Sequence, residues 1–239
     1  MGSKARIAKE IIPIILKDRK PDQWFIDLFC GGCNLIDKVE GKRIANDKNK
    51  HLVAMWKGLQ ENLPRPYEID KSLYDAARDV YNGKENGFAH QMYLDDFMVG
   101  WIGWMASFNG RFFDGGYSGK AAGRDYVAEQ IKNTEKQISA LKDVQFFNRS
   151  YDEFDFKEEC IVYCDIPYRG TKQYTTSKDF DHDKFWQWCR ETALKGHKVF
   201  ISEYQAPQDF VCVWQKEITN SMNTTKTYKP IEKLFTYYP

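Results

Sequence analysis

The apolar run Trp24-Phe-Ile-Asp-Leu-Phe29 follows Pro21 and stops at the glycine pair Gly31-Gly32. A run this short between turn-forming residues is too brief for a buried helix and reads as a buried strand. Arg43 to Asn46 reads as a second strand ending at Asp47, with a helical stretch from Asn34 to Val39 between the two. Later runs repeat the pattern at Val144–Phe147, Ile161–Cys164, Lys198–Ser202, Val211–Trp214 and Lys233–Tyr238, with a helix around Lys184 to Leu194. Strands alternating with helices predict an α/β, Rossmann-like fold built on a mostly parallel sheet.

Helices are also expected over Ala5–Leu16, broken or restarted near Pro13, over Lys50–Glu61, and over Asp125–Leu141. The last carries Val127, Ile131, Ile138 and Leu141 on one stripe. The stretch from Pro64 to Gly123 reads as the least regular part of the chain, its glycines interleaved with Trp101, Trp104, Phe108, Phe112, Phe113 and Tyr117. The expected organisation is therefore a main domain of residues 1–63 and 124–239 interrupted by an insertion, 64–123. At 239 residues the chain has room for this and little more.

A net charge of +1 rules out a chain-wide basic footprint, so any polyanion surface must be local. No apolar stretch approaches the ~20 residues that span a bilayer. The N-terminus lacks a charged-then-apolar signal layout, which predicts a cytoplasmic protein with reduced cysteines and no membrane partner.

Two segments carry candidate chemistry. In Asp27-Leu-Phe-Cys-Gly-Gly-Cys-Asn34, a strand ends in glycines that let the backbone approach a ligand closely. The spacing is not that of a GxGxxG dinucleotide fingerprint. Asp47, at the end of the next strand, is placed either to accept hydrogen bonds from ribose hydroxyls or to start a helix. Cys30 and Cys33 have the spacing of a redox pair or half a zinc site, but no second Cys pair or His pair accompanies them. They read as structural cysteines, and no metal is expected.

The second segment is Tyr163-Cys-Asp-Ile-Pro-Tyr168, a strand end carrying a carboxylate, a backbone kink and an aromatic ring. Those parts suit transfer of a methyl group to an amino nitrogen attached to an aromatic base. Such a nitrogen is a poor nucleophile, because its lone pair is delocalised into the ring. A carboxylate and a main-chain carbonyl accepting its two hydrogens draw it toward a tetrahedral shape, while a stacked ring fixes the angle of approach. Asp165 to Tyr168 also read as an ordinary turn at a strand end.

Over nearly its whole length the chain resembles the Dam-like DNA adenine methyltransferases, especially the small stand-alone enzymes of bacteria and phages. Met1-Gly-Ser-Lys-Ala-Arg-Ile-Ala-Lys9 is similar to the family's N-terminal motif, whose lysine, here Lys4, lies by the cofactor. Asp27 to Asn34 is similar to its glycine motif, Asn46-Asp47 to its ribose-binding acidic position, and Ser150-Tyr-Asp152 to the segment approaching the cofactor's adenine. Ser107-Phe-Asn-Gly-Arg-Phe-Phe-Asp-Gly-Gly-Tyr117 falls where the family begins its DNA-binding insertion. Asp165-Ile-Pro-Tyr168 takes the place of the family's Asp-Pro-Pro-Tyr. The departures are Ile166 for the usual proline and Cys33 for a further glycine.

The resemblance implies site-specific methylation of the exocyclic amino group of adenine in double-stranded DNA, with S-adenosyl-L-methionine as cofactor and the base flipped out. Implied catalytic residues are Asp165, Ile166, Pro167 and Tyr168. Implied cofactor contacts are Lys4, Asp27, Phe29, Gly31, Gly32, Asp47, Asp152 and Asp165, and implied DNA contacts are Asn109, Arg111, Lys120 and Arg124. Three other readings remain: an RNA adenine methyltransferase, since Ile before Pro-Tyr also resembles the rRNA adenine dimethyltransferases; a protein glutamine methyltransferase; and a catalytically silent DNA-binding relative.

Overall fold

A computed structural model describes residues 4–84, 94–156, 158–171, 179–218 and 230–239. In chain order the elements are α1 (Ala8–Ile15), β1 (Phe25–Asp27), β2 (Arg43–Asn46), α2 (Lys50–Gln60), α3 (Lys71–Tyr81) and α4 (Asp96–Ala106). They continue with β3 (Lys120–Ala121), β4 (Arg124–Asp125), α5 (Tyr126–Leu141), β5 (Gln145–Phe147), β6 (Ile161–Asp165), α6 (His182–Leu194), β7 (Lys198–Glu203), β8 (Val211–Glu217) and β9 (Ile231–Thr236). Helix starts follow side-chain chemistry. Asn49, Asp70, Asp95, Asp125 and Asp181 each accept a hydrogen bond from a backbone N–H of the first turn of α2 to α6 respectively.

The chain forms two compact units. One comprises Lys4–Asn46 and Arg149–Pro239, the other Asp47–Asn148. In the first, six strands run in the order β2-β1-β6-β7-β9-β8. The β1/β2, β1/β6 and β6/β7 pairs are parallel, and β9 is antiparallel to both β7 and β8. β1 has β2 on one side and β6 on the other, so strand order reverses there, and the carboxyl ends of β1 and β6 are where an open α/β sheet binds its ligand. Asp27 pairs with Tyr163, and Leu28 N–H donates to the Tyr163 carbonyl at 3.0 Å. Because β9 runs antiparallel, its first residues reach that same end of the sheet, where Lys233 pairs with Glu203. The core beneath joins Val162, Cys164, Ile166, Val199, Ile201 and Phe235 to Phe185, Trp186 and Cys189 of α6.

The helix expected over Asn34–Val39 is a single 3-10 turn, Ile36–Lys38. The chain then re-enters the sheet at Arg43, whose guanidinium donates to the Ile36 carbonyl at 3.3 Å. The break expected near Pro13 does not occur: α1 runs through it, preceded by a 3-10 turn at Lys4–Arg6.

The second unit departs further from expectation, because the irregular stretch contains α3 and α4. Nine residues of α4, including both its tryptophans, are buried. Its glycines are close-packing positions. A Cβ on Gly100 would lie 2.0 Å from the His51 carbonyl oxygen of α2, and one on Gly103 would lie 2.6 Å from the Phe113 ring. Read from sequence, those glycines look like loop punctuation; in the fold Gly100 lets α4 touch α2, and Gly103 makes room for the Phe112 and Phe113 rings. Among the described residues no helix is long and apolar enough to cross a membrane.

Candidate functional site

At the carboxyl end of the sheet, β6 delivers Asp165, β7 ends on Glu203, and β9 begins with Ile231 and Glu232. The 3-10 turn ahead of α1 brings Lys4 to them. Lys4 Nζ lies 2.9 Å from Asp165 Oδ1 and 2.8 Å from Glu232 Oε1, and it donates to the Tyr168 hydroxyl at 2.6 Å. That hydroxyl in turn donates to Glu232. The ammonium also sits 4.7 Å from the centre of the Tyr168 ring, and the Tyr204 ring meets Tyr168 edge-on at 4.6 Å.

Lys4 and Glu232 are nearly closed off, while Asp165 keeps 25% of its side chain open to solvent. Burial alone would lower the Lys4 pKa, but Asp165 and Glu232 outweigh it and hold the group up, as an ammonium. Burial raises the Asp165 pKa, opposed by Lys4 and reinforced by Glu232. Glu203 is pushed up to about 7, first by burial, and the carboxylates of Glu232 and Asp165 add to the rise. Tyr168 is held well above the usual phenol range by burial and the same carboxylates, so it is a neutral hydroxyl and not a base. The Lys4 ammonium thus faces two carboxyl groups, Asp165 and Glu232, one more than its single charge balances, a setting suited to a positively charged ligand.

The loop after β6 is fixed from several directions. His182 Nε2 lies 2.8 Å from the Pro167 carbonyl oxygen, so this nitrogen carries the proton. The hydroxyl of Thr171 donates to the Tyr168 carbonyl at 2.8 Å, and Arg169 N–H donates to Glu203 at 2.9 Å. Ile166 faces inward at 3% exposure, packed in the core beneath the sheet. Its side chain thereby anchors the loop that its backbone forms.

Beyond β1 the backbone turns through Gly31 at φ +44° and Cys33 at φ +55°. Both Gly31 and Gly32 are buried. Asp27, 2% exposed, accepts a hydrogen bond from Phe29 N–H at 3.3 Å. Asn46 ties the turn down: its amide donates to the carbonyls of Leu28 at 3.1 Å and Arg149 at 3.0 Å, and its backbone carbonyl accepts Cys30 N–H. Phe29 belongs to an aromatic group with Tyr151, Phe180 and Phe185. Asp152 follows Tyr151 and is ion-paired with Lys184 at 2.5 Å, which lowers its pKa.

The remaining expected residues belong to the second unit. The Asp47 carboxylate accepts Asn49 N–H at 2.8 Å, in the turn just ahead of α2, where Asn49 and not Asp47 is the capping residue. Arg111 is half-buried. Lys120 and Arg124 lie on the small β3/β4 hairpin and are paired with Asp125 at 3.4 Å and Glu129 at 2.5 Å. The Asn109 side chain lies outside the described residues. All six cysteines are free, and Cys30 and Cys33 are buried.

Sequence reasoning thus reached Lys4, Asp165 and Tyr168, which the fold brings together. It did not name Glu203, Glu232, His182 or Tyr204 as site residues, and it took Asn46 only as the neighbour of Asp47 in the ribose-binding motif. The segments Val199–Tyr204 and Glu232–Tyr238 resemble later core strands of the family, which marks Glu203 and Glu232 as strand ends but not as site residues; the placement of Glu232 depends on the direction of β9.

Residues 1–234 match the family model of the D12 class N6 adenine-specific DNA methyltransferases. No curated protein matches the chain. Among solved structures, SMU.472, named as a methyltransferase and complexed with SAH, aligns at a TM-score of 0.43 and 14% identity over 99% of this chain. The alignment takes in 53% of that structure, so this chain spans about half its length. The rRNA methyltransferase aviRa from Streptomyces viridochromogenes aligns at a TM-score of 0.41 and 10% identity, covering 97% of this chain and 84% of that one.

Proposed function

Starting from the fact that the chain belongs to the D12 class N6 adenine-specific DNA methyltransferase family, we propose that it methylates the exocyclic amino group of adenine in double-stranded DNA. The methyl donor in this reading is S-adenosyl-L-methionine, whose sulfonium supplies an electrophilic methyl group. The observation that carries the reading is the meeting of Asp165, Tyr168 and Lys4 at the carboxyl end of β6, beside the glycine turn after β1.

The chemistry of the residues fits that cofactor. The second carboxylate on Lys4 complements a sulfonium, and the buried glycine turn with its left-handed residue suits close backbone contact. Gly31, Gly32, Asp27 and Phe29 would hold it, with Asp152 toward its adenine and Lys4 and Asp165 toward its methionine end. Asp47 on the ribose remains part of the proposal.

With Oδ1 of Asp165 held by Lys4, its Oδ2 accepts one hydrogen of the substrate amino group, and the Ile166 carbonyl accepts the other. The nitrogen lone pair is thereby turned out of the ring plane. A carboxyl whose pKa lies above the ordinary range is also a better acceptor for the proton lost after transfer. Tyr168 stacks on the flipped base, its hydroxyl anchored by Lys4 and Glu232. Flipping costs a few kcal/mol of unstacking. On the second unit, Arg111, Lys120, Arg124 and Asn109 contact DNA; the exposed pair of Lys120 is weak enough to yield to phosphate, and Arg124 exchanges its two-point pair with Glu129 for one.

Sequencing of DNA from a methylation-free host expressing the protein, with detection of modified bases, tests this. N6-methyladenine in one short sequence context is the expected result. Methylation confined to RNA or to glutamine in protein would replace the substrate assignment.

A further inference from the structure

We propose that His182 and Glu203 form a buried clamp that sets the orientation of Tyr168, and through it the angle at which the acceptor base meets the methyl donor. This rests on the reading that Tyr168 receives the base.

The residues on either side of Tyr168 are each held by one member of the pair. Before it, the Pro167 carbonyl accepts from His182 Nε2 at 2.8 Å. After it, Arg169 N–H donates to Glu203 Oε2 at 2.9 Å. The other oxygen, Glu203 Oε1, accepts Tyr204 N–H at 2.6 Å, and the Tyr204 ring meets Tyr168 at 81°. One carboxyl group therefore fixes the backbone beside two rings that touch.

The clamp is itself rigid. Glu203 is 2% exposed and His182 8%; His182 Nε2 lies 4.0 Å from Glu203 Oε2, and the Phe180 ring packs edge-on against the imidazole at 4.9 Å. The two members come from different elements, the first residue of α6 and the last of β7. Neither touches the Asp165 carboxylate in the hydrogen bonds described above, so they are positioning residues rather than catalytic ones. A third, exposed tie runs from Arg169 to Asp183 at 2.7 Å, again from the loop to the first turn of α6.

A side chain that only filled space here would be replaceable by any group of similar volume. A side chain that aims Tyr168 must keep an N–H at the position of Nε2, which glutamine offers and alanine does not. In His182→Ala, the single-turnover rate of methyl transfer should fall on the order of 10–10²-fold, the scale of a misplaced reacting group. Affinities for S-adenosylmethionine and for duplex DNA should stay within about twofold, and His182→Gln should recover most of the lost rate. Amide hydrogen exchange gives a readout independent of turnover: the 165–171 segment should lose protection in the alanine variant and keep it in the glutamine one, with α6 and β7 unchanged in both. Wild-type rates and exchange in His182→Ala overturn the clamp. So does a glutamine variant as slow as the alanine one, or protection lost throughout α6 and β7. If the wild-type protein fails to methylate adenine, the proposed function falls, while the exchange comparison still decides whether the pair holds the loop.

Discussion

At residue scale the reaction proposed here turns on Asp165. Asp165→Ala is expected to lower the single-turnover rate by about 10²–10³-fold, the loss seen when one preorganised polar partner of a transition state is removed. A wild-type rate would make the loop a structural turn. Ile166 shows where sequence and structure part. Its resemblance-based role needs only a backbone carbonyl, which proline shares, so sequence offered no reason for isoleucine. The reason is packing: Ile166 is 3% exposed in the core under the sheet. Ile166→Pro removes buried apolar volume and one N–H, and should cost about 1–3 kcal/mol of stability by chemical denaturation. At a temperature where it remains folded, its transfer rate should stay within several-fold of wild type. A variant equally stable but far slower would give the isoleucine a part in the chemistry instead. Asp165, Lys4 and Tyr168 were legible because their motifs are contiguous; Glu232 was not, because its place beside Lys4 comes from pairing across the sheet.

Among the elements, strands were the easiest to read. A run such as Ile161-Val-Tyr-Cys164 has little alternative to being a buried parallel strand, and it lies at the centre of the sheet between β1 and β7. Helix α5 was equally plain, since its apolar positions fall on one stripe. Helix α4 was hidden by the opposite property: it is buried nearly all round and so has no polar face to reveal a period. Its glycines then imitated loop residues. The difference can be measured at Gly100, where an added Cβ would sit 2.0 Å from the His51 carbonyl oxygen and force α2 and α4 apart. Gly100→Ala should cost ~3 kcal/mol, toward the upper end for overpacking, although alanine is the better helix former. Thermal denaturation checks the sign. A stabilised variant would mean that helix propensity outweighs the close approach and that these helices separate at little cost.

For the whole molecule, the buried carboxyl groups make stability depend on pH in a direction unlike that of a protein with only surface ion pairs. Glu203 has a folded pKa of about 7 against 4.5 for the free side chain. Between those values the folded state binds more protons than the unfolded one. Its contribution is therefore fully present below pH ~4.5 and is lost as pH rises through ~7, at most about 3 kcal/mol in all. Asp165, also raised, acts in the same direction. Asp152, lowered by Lys184, acts oppositely and loses its contribution as pH falls through its folded pKa. The cofactor-free protein should thus be most stable in mildly acidic solution and should lose stability from pH 5 to pH 8. Glu203→Gln isolates the cause. Glutamine supplies one carbonyl oxygen where the carboxyl group receives both Arg169 N–H and Tyr204 N–H, leaving one buried donor unpaired at about 1–3 kcal/mol. The variant should be less stable than wild type at pH 5, and the gap should narrow or close by pH 8, because the glutamine carries no proton to lose. Denaturation midpoints for both proteins across that range decide it. Parallel curves would mean that Glu203 does not titrate between pH 5 and 8, and that the carboxyl cluster at the carboxyl end of the sheet carries its charge at no cost to the fold.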